Sequence, residues 1–419
     1  MRVLLIHQYF LEDHEGGGSR WNEMSRIWTE AGHEITVLAG MGHYMDLKSR
    51  PYPEKYFEKK MNMDGVFVIR CFVPSYKSTS FKKRILAFLT FTFSSIWAGI
   101  FHAREKYNVI IVTSPPIFLG ITALLLSVIK RVPFVFEVRD LWPESAIEMG
   151  FLKNRFLISL ACWFEKYLYG KAKMITVLTP AFREILVDTK SVDPNKIILI
   201  PNGADFRYSD EVLDNLDVKT FRTQNDLDNR FIVTYVGAHG PANHLLQILE
   251  TAEILRNTNV CFLLIGEGAC KKSLMMEARK LNLTNVKFID FCPREEAFKY
   301  IIASDMGTSV LKKTGIFKTV YSNKTFDYFS CKKPILMAID GISRTLVEDA
   351  NAGVFVDPEN PKDFADKILQ CMNKPENLRK QGENGYIYAK THFDREVLAR
   401  KYLQALIEMM GIERMRYTI

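Results

Sequence analysis

The chain has 419 residues, 47% of them hydrophobic and 25% charged, with a formal net charge of +8. That length exceeds one ordinary core and suits two domains, and the composition excludes a disordered or low-complexity chain. The positive balance suits anionic small molecules or an anionic membrane surface and gives no indication of nucleic acid as a partner.

Met1-Arg2 is followed by four apolar residues, Val3–Ile6, and then by His7 and Gln8. A secretory segment needs about 7–15 apolar residues and a small-residue cleavage site, so this run is read as a buried first strand, without export. Short β-branched runs then alternate with amphipathic stretches, the pattern of parallel α/β sheets. Strands are expected at Val3–Ile6, Glu34–Leu38, Val66–Cys71, Val109–Thr113, Phe134–Val138 and Met174–Leu178. Helices are expected near Ser19–Ala31, Ile117–Lys130 and Phe156–Gly170. The pattern restarts at Ile197–Ile200 and continues through Ile232–Val236, Cys261–Ile265, Val286–Ile289, Met306–Val310 and Ile335–Ala338.

Pro201-Asn202-Gly203 closes the first series, and the polar stretch from Asp210 to Arg230 reads as the connection between domains. The last patterned stretch, Arg395–Met410, is a helix. The expected architecture is α/β, with two Rossmann-like, doubly wound parallel-sheet domains over residues 1–204 and 205–392, facing a cleft. Residues 393–419 are expected as a C-terminal helix returning towards the first domain. Ligands of open α/β sheets bind beyond the carboxyl ends of the strands. The seven cysteines are scattered and none forms a CxxC pair, so neither a metal site nor a disulfide framework is expected, and a cytoplasmic location fits.

Three glycine-containing turns follow strands. Glu15-Gly16-Gly17-Gly18-Ser19-Arg20 comes after the first strand and opens a helix; glycines let a backbone approach a ligand, and a helix N-terminus attracts an anion. Gly237-Ala238-His239-Gly240 follows Ile232–Val236, and Gly266-Glu267-Gly268 follows Cys261–Ile265. Each can equally be an ordinary strand-to-helix turn, and none has the GxGxxG spacing of a dinucleotide fingerprint. The strand Phe134–Val138 leads into Arg139-Asp140-Leu141-Trp142-Pro143-Glu144. Asp140 or Glu144 can orient or deprotonate a sugar hydroxyl, Trp142 can lie against a sugar ring, and Arg139 can neutralise phosphate. The alternative is a structural ion pair with Trp142 in the core. In Asn323-Lys324-Thr325-Phe326-Asp327-Tyr328, a helical start puts Lys324 and Asp327 on one face, suited to a donor phosphate and a ribose diol or to an i,i+3 ion pair in solvent.

Taken in order, the first glycine loop, Ala31-Gly32-His33-Glu34, Arg139–Glu144, Pro201-Asn202-Gly203, the Gly237/Gly240 turn and Asn323–Tyr328 resemble glycosyltransferase family 4 over essentially the whole chain. The branch they resemble is that of bacterial N-acetylhexosamine and N-acetylfucosamine transferases of surface polysaccharide and lipopolysaccharide assembly. The resemblance implies a GT-B fold, a nucleotide-diphosphate sugar donor such as a UDP-sugar, retention at the anomeric carbon and no required metal or other cofactor. It also implies that Gly17 and Gly18 approach the donor phosphates, Lys324 the diphosphate, Gly268 the nucleoside and Asp327 the ribose. Three positions depart from the family pattern. Its two glutamates seven residues apart fall on Thr319 and Asp327. The basic pair after the second-domain glycine turn is replaced by His239, Asn243 and His244. A histidine after the Phe134–Val138 strand is replaced by Arg139.

Phe81-Lys82-Lys83-Arg84 leads into Ile85–Phe101, seventeen residues without a charge. A spanning helix needs about 20, and a span here would divide the strands of the first domain between two sides of a bilayer. An in-plane segment over 81–101 with a basic flank suits a lipid-linked saccharide acceptor and peripheral attachment to the inner face of the cell membrane; a core helix is the alternative. Two other functions stay open. A nucleotide-sugar epimerase of the same fold would need no acceptor, and a non-catalytic nucleotide-sugar-binding or scaffold protein is the reading that Thr319 favours.

Overall fold

The computed structural model describes residues 1–13, 20–41, 55–74 and 81–411. Its described residues form two compact units: those up to Pro201 together with those from Glu396 onward, and Asn202–Arg395.

The first unit is built on β1 (Arg2–Ile6), β2 (Glu34–Gly40), β3 (Phe57–Met61), β4 (Phe67–Cys71), β5 (Val109–Ser114), β6 (Phe134–Val138), β7 (Met174–Val177) and β8 (Ile197–Leu199). They lie in the order β3-β4-β2-β1-β5-β6-β7-β8, parallel throughout except for the antiparallel β3–β4 pair. β5 and β6 are buried along their whole length, which is why they are mainly apolar, broken only by Thr113 and Ser114 in β5 and by Glu137 in β6. β3, with the sequence Phe-Glu-Lys-Lys-Met, is exposed at four of its five positions and carries no apolar pattern to announce it. On one face, Trp21 and Trp28 of the helix Arg20–Glu30 meet Tyr402 of the helix Arg395–Met409, with ring centroids 5.4–5.8 Å apart. The indole of Trp28 donates to the Ala399 carbonyl at 2.8 Å, and Leu398, Tyr402 and Leu406 enter the same core. The tail helix is therefore part of the first unit's core.

The other unit holds β9 (Phe231–Val236), β10 (Val260–Ile265), β11 (Val286–Ile289), β12 (Met306–Val310), β13 (Ile335–Ala338) and β14 (Gly353–Phe355), all parallel, in the order β11-β10-β9-β12-β13-β14. In both sheets the chain winds outward from a central strand, β1 or β9, in two opposite directions. The carboxyl ends of β1 and β5, and of β9 and β12, are thus topological switch points.

Two expectations need correction. The strand at Ile197 pairs with β7 and ends the first sheet; it does not open the second series. The polar stretch Asp210–Arg230 is no connector. It includes most of the helix Phe206–Asn215 and all of Val218–Gln224, which bury Val212, Phe221 and, beyond them, Leu227 in the second unit. Polar and charged residues on the outer faces of these short helices hid an apolar period beneath them.

Candidate functional site

At the second switch point two glycine turns are stacked. β9 is followed by Gly237, where φ is +144° and a Cβ would lie 2.7 Å from Cε of Lys324. β10 is followed by Gly266, where φ is +137° and a Cβ would lie 2.1 Å from the Gly237 carbonyl oxygen. The Gly237 amide donates to the Ile265 carbonyl at 2.9 Å and the His239 amide to the Glu267 carbonyl at 2.8 Å. At Gly268 a Cβ would sit 2.5 Å from the His239 carbonyl oxygen. These three positions exclude side chains because backbone lies against backbone or against Lys324. Gly240 differs: its φ is −100°, and a Cβ would meet Asn243 Nδ2 at an ordinary 3.5 Å.

Lys324 reaches this turn from the first turn of the helix Asn323–Ser330. That helix is held by Tyr328, one turn further along the same face. Its fully buried phenol accepts from the Val236 amide at 3.1 Å and lies 3.0 Å from the Thr234 carbonyl and 3.1 Å from that of Thr308. Gly307 makes room for the ring, since a Cβ there would be 2.4 Å from it. Tyr328 thus ties the ends of β9 and β12 to the helix that carries the lysine. In the sequence Tyr328 and Gly307 carry no signal beyond proximity to Lys324 and to a strand.

The Lys324 ammonium lies 4.9 Å above the centroid of the Tyr235 ring. Among the described residues no carboxylate is within 4.0 Å of it, so the i,i+3 pair with Asp327 is not formed. Burial pulls its pKa down to about 8, against the opposing charge of Asp327. Asp327 faces Arg294 instead, 3.8 Å away; Arg294 also approaches Asp205 at 3.7 Å and stacks over Tyr208 and Phe298. The other cation at the turns, Lys271, is neutralised by Glu267 at 2.7 Å and Asp290 at 2.6 Å. His239 is fully buried, and burial, then Lys271 and Lys324, pull its pKa to about 4. It is uncharged at neutral pH. Among the described residues the site is therefore a lysine held beside glycine turns without a counter-charge, an arrangement chemically suited to an anion. Thr319 ends a short 3₁₀ turn, its hydroxyl donating to the Ile316 carbonyl at 2.6 Å.

In the first unit, Glu137 at the end of β6 is fully buried and accepts from the Trp21 indole at 2.9 Å and from Arg20 at 3.2 Å. Arg139 lies 3.9 Å from the same carboxylate. Asp140 is half-buried; burial raises its pKa to about 6, while the Ser145 hydroxyl and the Leu141 amide hold it down. Trp142 is half-buried with its ring edge-on to Phe118. Glu144 opens the short helix Glu144–Glu148 and receives Lys190 at 2.7 Å; Lys190 also donates to buried Glu165 at 2.5 Å. Burial pushes Glu165 up to about 7, opposed by Lys190 and by the Tyr169 hydroxyl. The structure thus gathers Arg139, Asp140, Trp142 and Glu144 after β6, and gathers Gly237, Gly268 and Lys324 after β9 and β10. Gly17 and Gly18, with the rest of their loop, lie outside the described residues. His7, just after β1, is hydrogen-bonded to Thr113 of β5 at 2.8 Å, a polar pair with no local sequence signal. Among the described residues no group of three or more His, Cys, Asp or Glu side chains is gathered as a metal site.

Comparison with known proteins agrees with this architecture. Residues 15–203 match the glycosyl transferase 4-like domain family, and residues 217–388 match glycosyl transferases group 1. The putative colanic acid biosynthesis glycosyl transferase WcaI of Escherichia coli (strain K12) is 23% identical over 411 residues, which is 96% of this chain and 99% of that protein. Among solved structures, sucrose-phosphate synthase from Thermosynechococcus elongatus superposes with a TM-score of 0.74 at 16% identity, covering 98% of this chain and 99% of the other. Anabaena Alr3699/HepE, solved with UDP-glucose, gives 0.71 at 16% identity, covering 97% of this chain and 100% of the other. With two parallel sheets of this order and both halves matched, the chain belongs to the family 4 glycosyltransferases of GT-B fold.

Proposed function

We propose that this glycosyltransferase moves a sugar of the N-acetylhexosamine type from a UDP-sugar to a lipid-linked saccharide during surface polysaccharide assembly, with retention at the anomeric carbon. The observation that carries the donor half of this reading is Lys324, a lysine without a counter-charge set against the Gly237 turn. In this reading Lys324, Gly237 and Gly240 serve the diphosphate together with Gly17 and Gly18, Gly268 serves the nucleoside, and Asp327 the ribose. Support for the nucleotide and the process comes from the relatives: HepE was solved with UDP-glucose, and WcaI is described for colanic acid biosynthesis.

The first unit supplies the acceptor side. Asp140, with its pKa near 6, is ionised at neutral pH and can orient or deprotonate an acceptor hydroxyl. Glu144 and Arg139 fix charge around it, and Trp142 offers an aromatic face to a sugar ring. Retention is compatible with the donor's own phosphate taking the acceptor proton as the glycosidic bond forms and the nucleotide leaves. No metal or other cofactor is called for. The enzyme works at the cytoplasmic face of the cell membrane, held peripherally through 81–101. The test is transfer of a radiolabelled sugar from a panel of nucleotide sugars to a lipid extract. Transfer lost in Lys324→Ala supports the reading. Donor turnover that needs no acceptor would identify an epimerase instead, and donor binding without turnover a non-catalytic binder.

A further inference from the structure

The helix Phe81–Phe101 is not alone on its side of the first sheet. It packs on the helix Leu119–Lys130, where a Cβ at Gly99 would lie 2.3 Å from the Leu126 side chain, and Ser95 is hydrogen-bonded to Thr122 at 3.0 Å. The helix Arg155–Lys171 closes on the same neighbour, with Leu168 set 2.4 Å from the Cβ that Gly120 lacks. Close approach at two glycines makes one continuous helical layer out of three helices.

The outward side of that layer is apolar. On the first helix Leu86, Phe93, Trp97 and Phe101 recur at one face, 42–70% exposed. The middle helix adds Leu125, Val128 and Ile129. On the third, Phe156, Leu160, Trp163 and Tyr167 follow the i, i+4, i+7, i+11 spacing of a single stripe, with Phe156 75% and Trp163 62% exposed. Trp163 and Tyr167 stack at 5.8 Å, and Lys171 lies over the Tyr167 ring. Leaving this much large apolar surface in water is costly and marks an interaction surface.

Charge decides what covers it. The three helices contain seven Lys or Arg residues and a single acidic one, Glu165, which is buried and bonded to Lys190. Arg155 and Lys166 flank the aromatic stripe on one side and Lys171 lies at its end. Exposed aromatics with an amphipathic edge, on helices whose only unburied charges are cationic, are the composition of a surface that lies in the headgroup region of an anionic bilayer. We propose that the three helices form one bilayer-docking surface for anionic phospholipid, with Arg155–Lys171 as a second anchor beside Phe81–Phe101. The proposal deepens the reading of peripheral attachment given above and rests on it.

The experiment is sedimentation of the full chain with vesicles of phosphatidylethanolamine and phosphatidylglycerol, compared with phosphatidylcholine alone. Wild type binds the anionic vesicles, weakly or not at all the neutral ones, and salt releases it in part. The exposed double variant Phe156→Ser/Trp163→Ser binds the anionic vesicles at least roughly tenfold more weakly, as does Phe93→Ser/Trp97→Ser. Stabilisation of both variants by UDP stays at the wild-type level, which reports an intact fold. Vesicle binding unchanged in Phe156→Ser/Trp163→Ser overturns the proposal, as does equal binding to neutral vesicles. So does a fall in oligomeric state by light scattering with vesicle binding retained, which would make this face a contact between copies. A second arm does not depend on disruption: in Trp163→Phe, quenching of tryptophan fluorescence by brominated phosphatidylglycerol is smaller than in wild type, and equal quenching counts against the anchor. Failure of UDP to stabilise any form would break the donor reading and leave the vesicle result standing by itself.

Discussion

The two sheets share a strand order around their switch points, yet the polar residues at their strand ends are in opposite electrostatic states. After β6 in the first unit, charges satisfy one another: Glu137 is locked by Arg20 and Trp21, and Glu144 and Glu165 share Lys190. After β9 and β10 in the second, side chains are absent at three glycines; Lys271 is paired, but among the described residues Lys324 has no carboxylate within 4.0 Å. The same topology therefore presents one preorganised polar wall and one vacancy of negative charge. A half-buried cation kept without its counter-charge costs stability, a cost that an anionic ligand would relieve.

The largest expected effect breaks the wall. Lys190→Met strands Glu165 in the interior with only Tyr169 as partner, and is expected to cost about 3–5 kcal/mol in urea denaturation at neutral pH. Lys324→Met should do the reverse in the ligand-free protein. Its folded pKa near 8 lies below the unfolded value, so the charged form opposes folding at pH 7 and its removal raises Tm. If both substitutions destabilise alike, the contrast between the units fails.

Next in size is Asp140→Asn, expected to lower kcat about 100-fold while UDP stabilisation is unchanged. With its pKa near 6, Asp140 loses its proton as the pH rises, so wild-type transfer climbs through pH 6 and the variant lacks that limb. A smaller effect falls on donor affinity. Lys324→Ala should weaken UDP binding by about 10–100-fold. In wild type the affinity should decline as pH rises above about 8, where the free protein's lysine loses its charge, and calorimetry in Lys324→Ala should show no such decline. The smallest effect separates the glycines. Gly240→Ala should change stability by less than about 0.5 kcal/mol with UDP binding kept, whereas Gly237→Ala, at φ +144° and against Lys324, should lose binding.

Much of the fold was legible along the chain. β1, β5, β6 and β10 are short, mainly apolar runs because both faces of a parallel sheet are covered, and turn residues bound them. β3 and the helices within Asp210–Arg230 were illegible for the complementary reason: they lie at an edge or surface, where polar and charged residues together occupy most positions. Among site residues, Lys324 and the glycine turns were found by residue type and order, whereas Tyr328 and Gly307 were not, because a phenol that bridges two strand ends has no local pattern.

The sequence by itself determined the two α/β halves, the placement of glycines at strand ends and the membership of the family, since these depend on local periodicity and on motifs in order. Only the tertiary structure decided which charges are spent and which remain. Whether Glu144, Lys271 or Lys324 has a partner depends on residues up to tens of positions away, Lys190, Asp290 and the Gly237 turn among them. The same holds for the apolar layer. Its three helices are separated by strands in the chain, and burial of one side of each was needed to show which aromatic residues are left facing out.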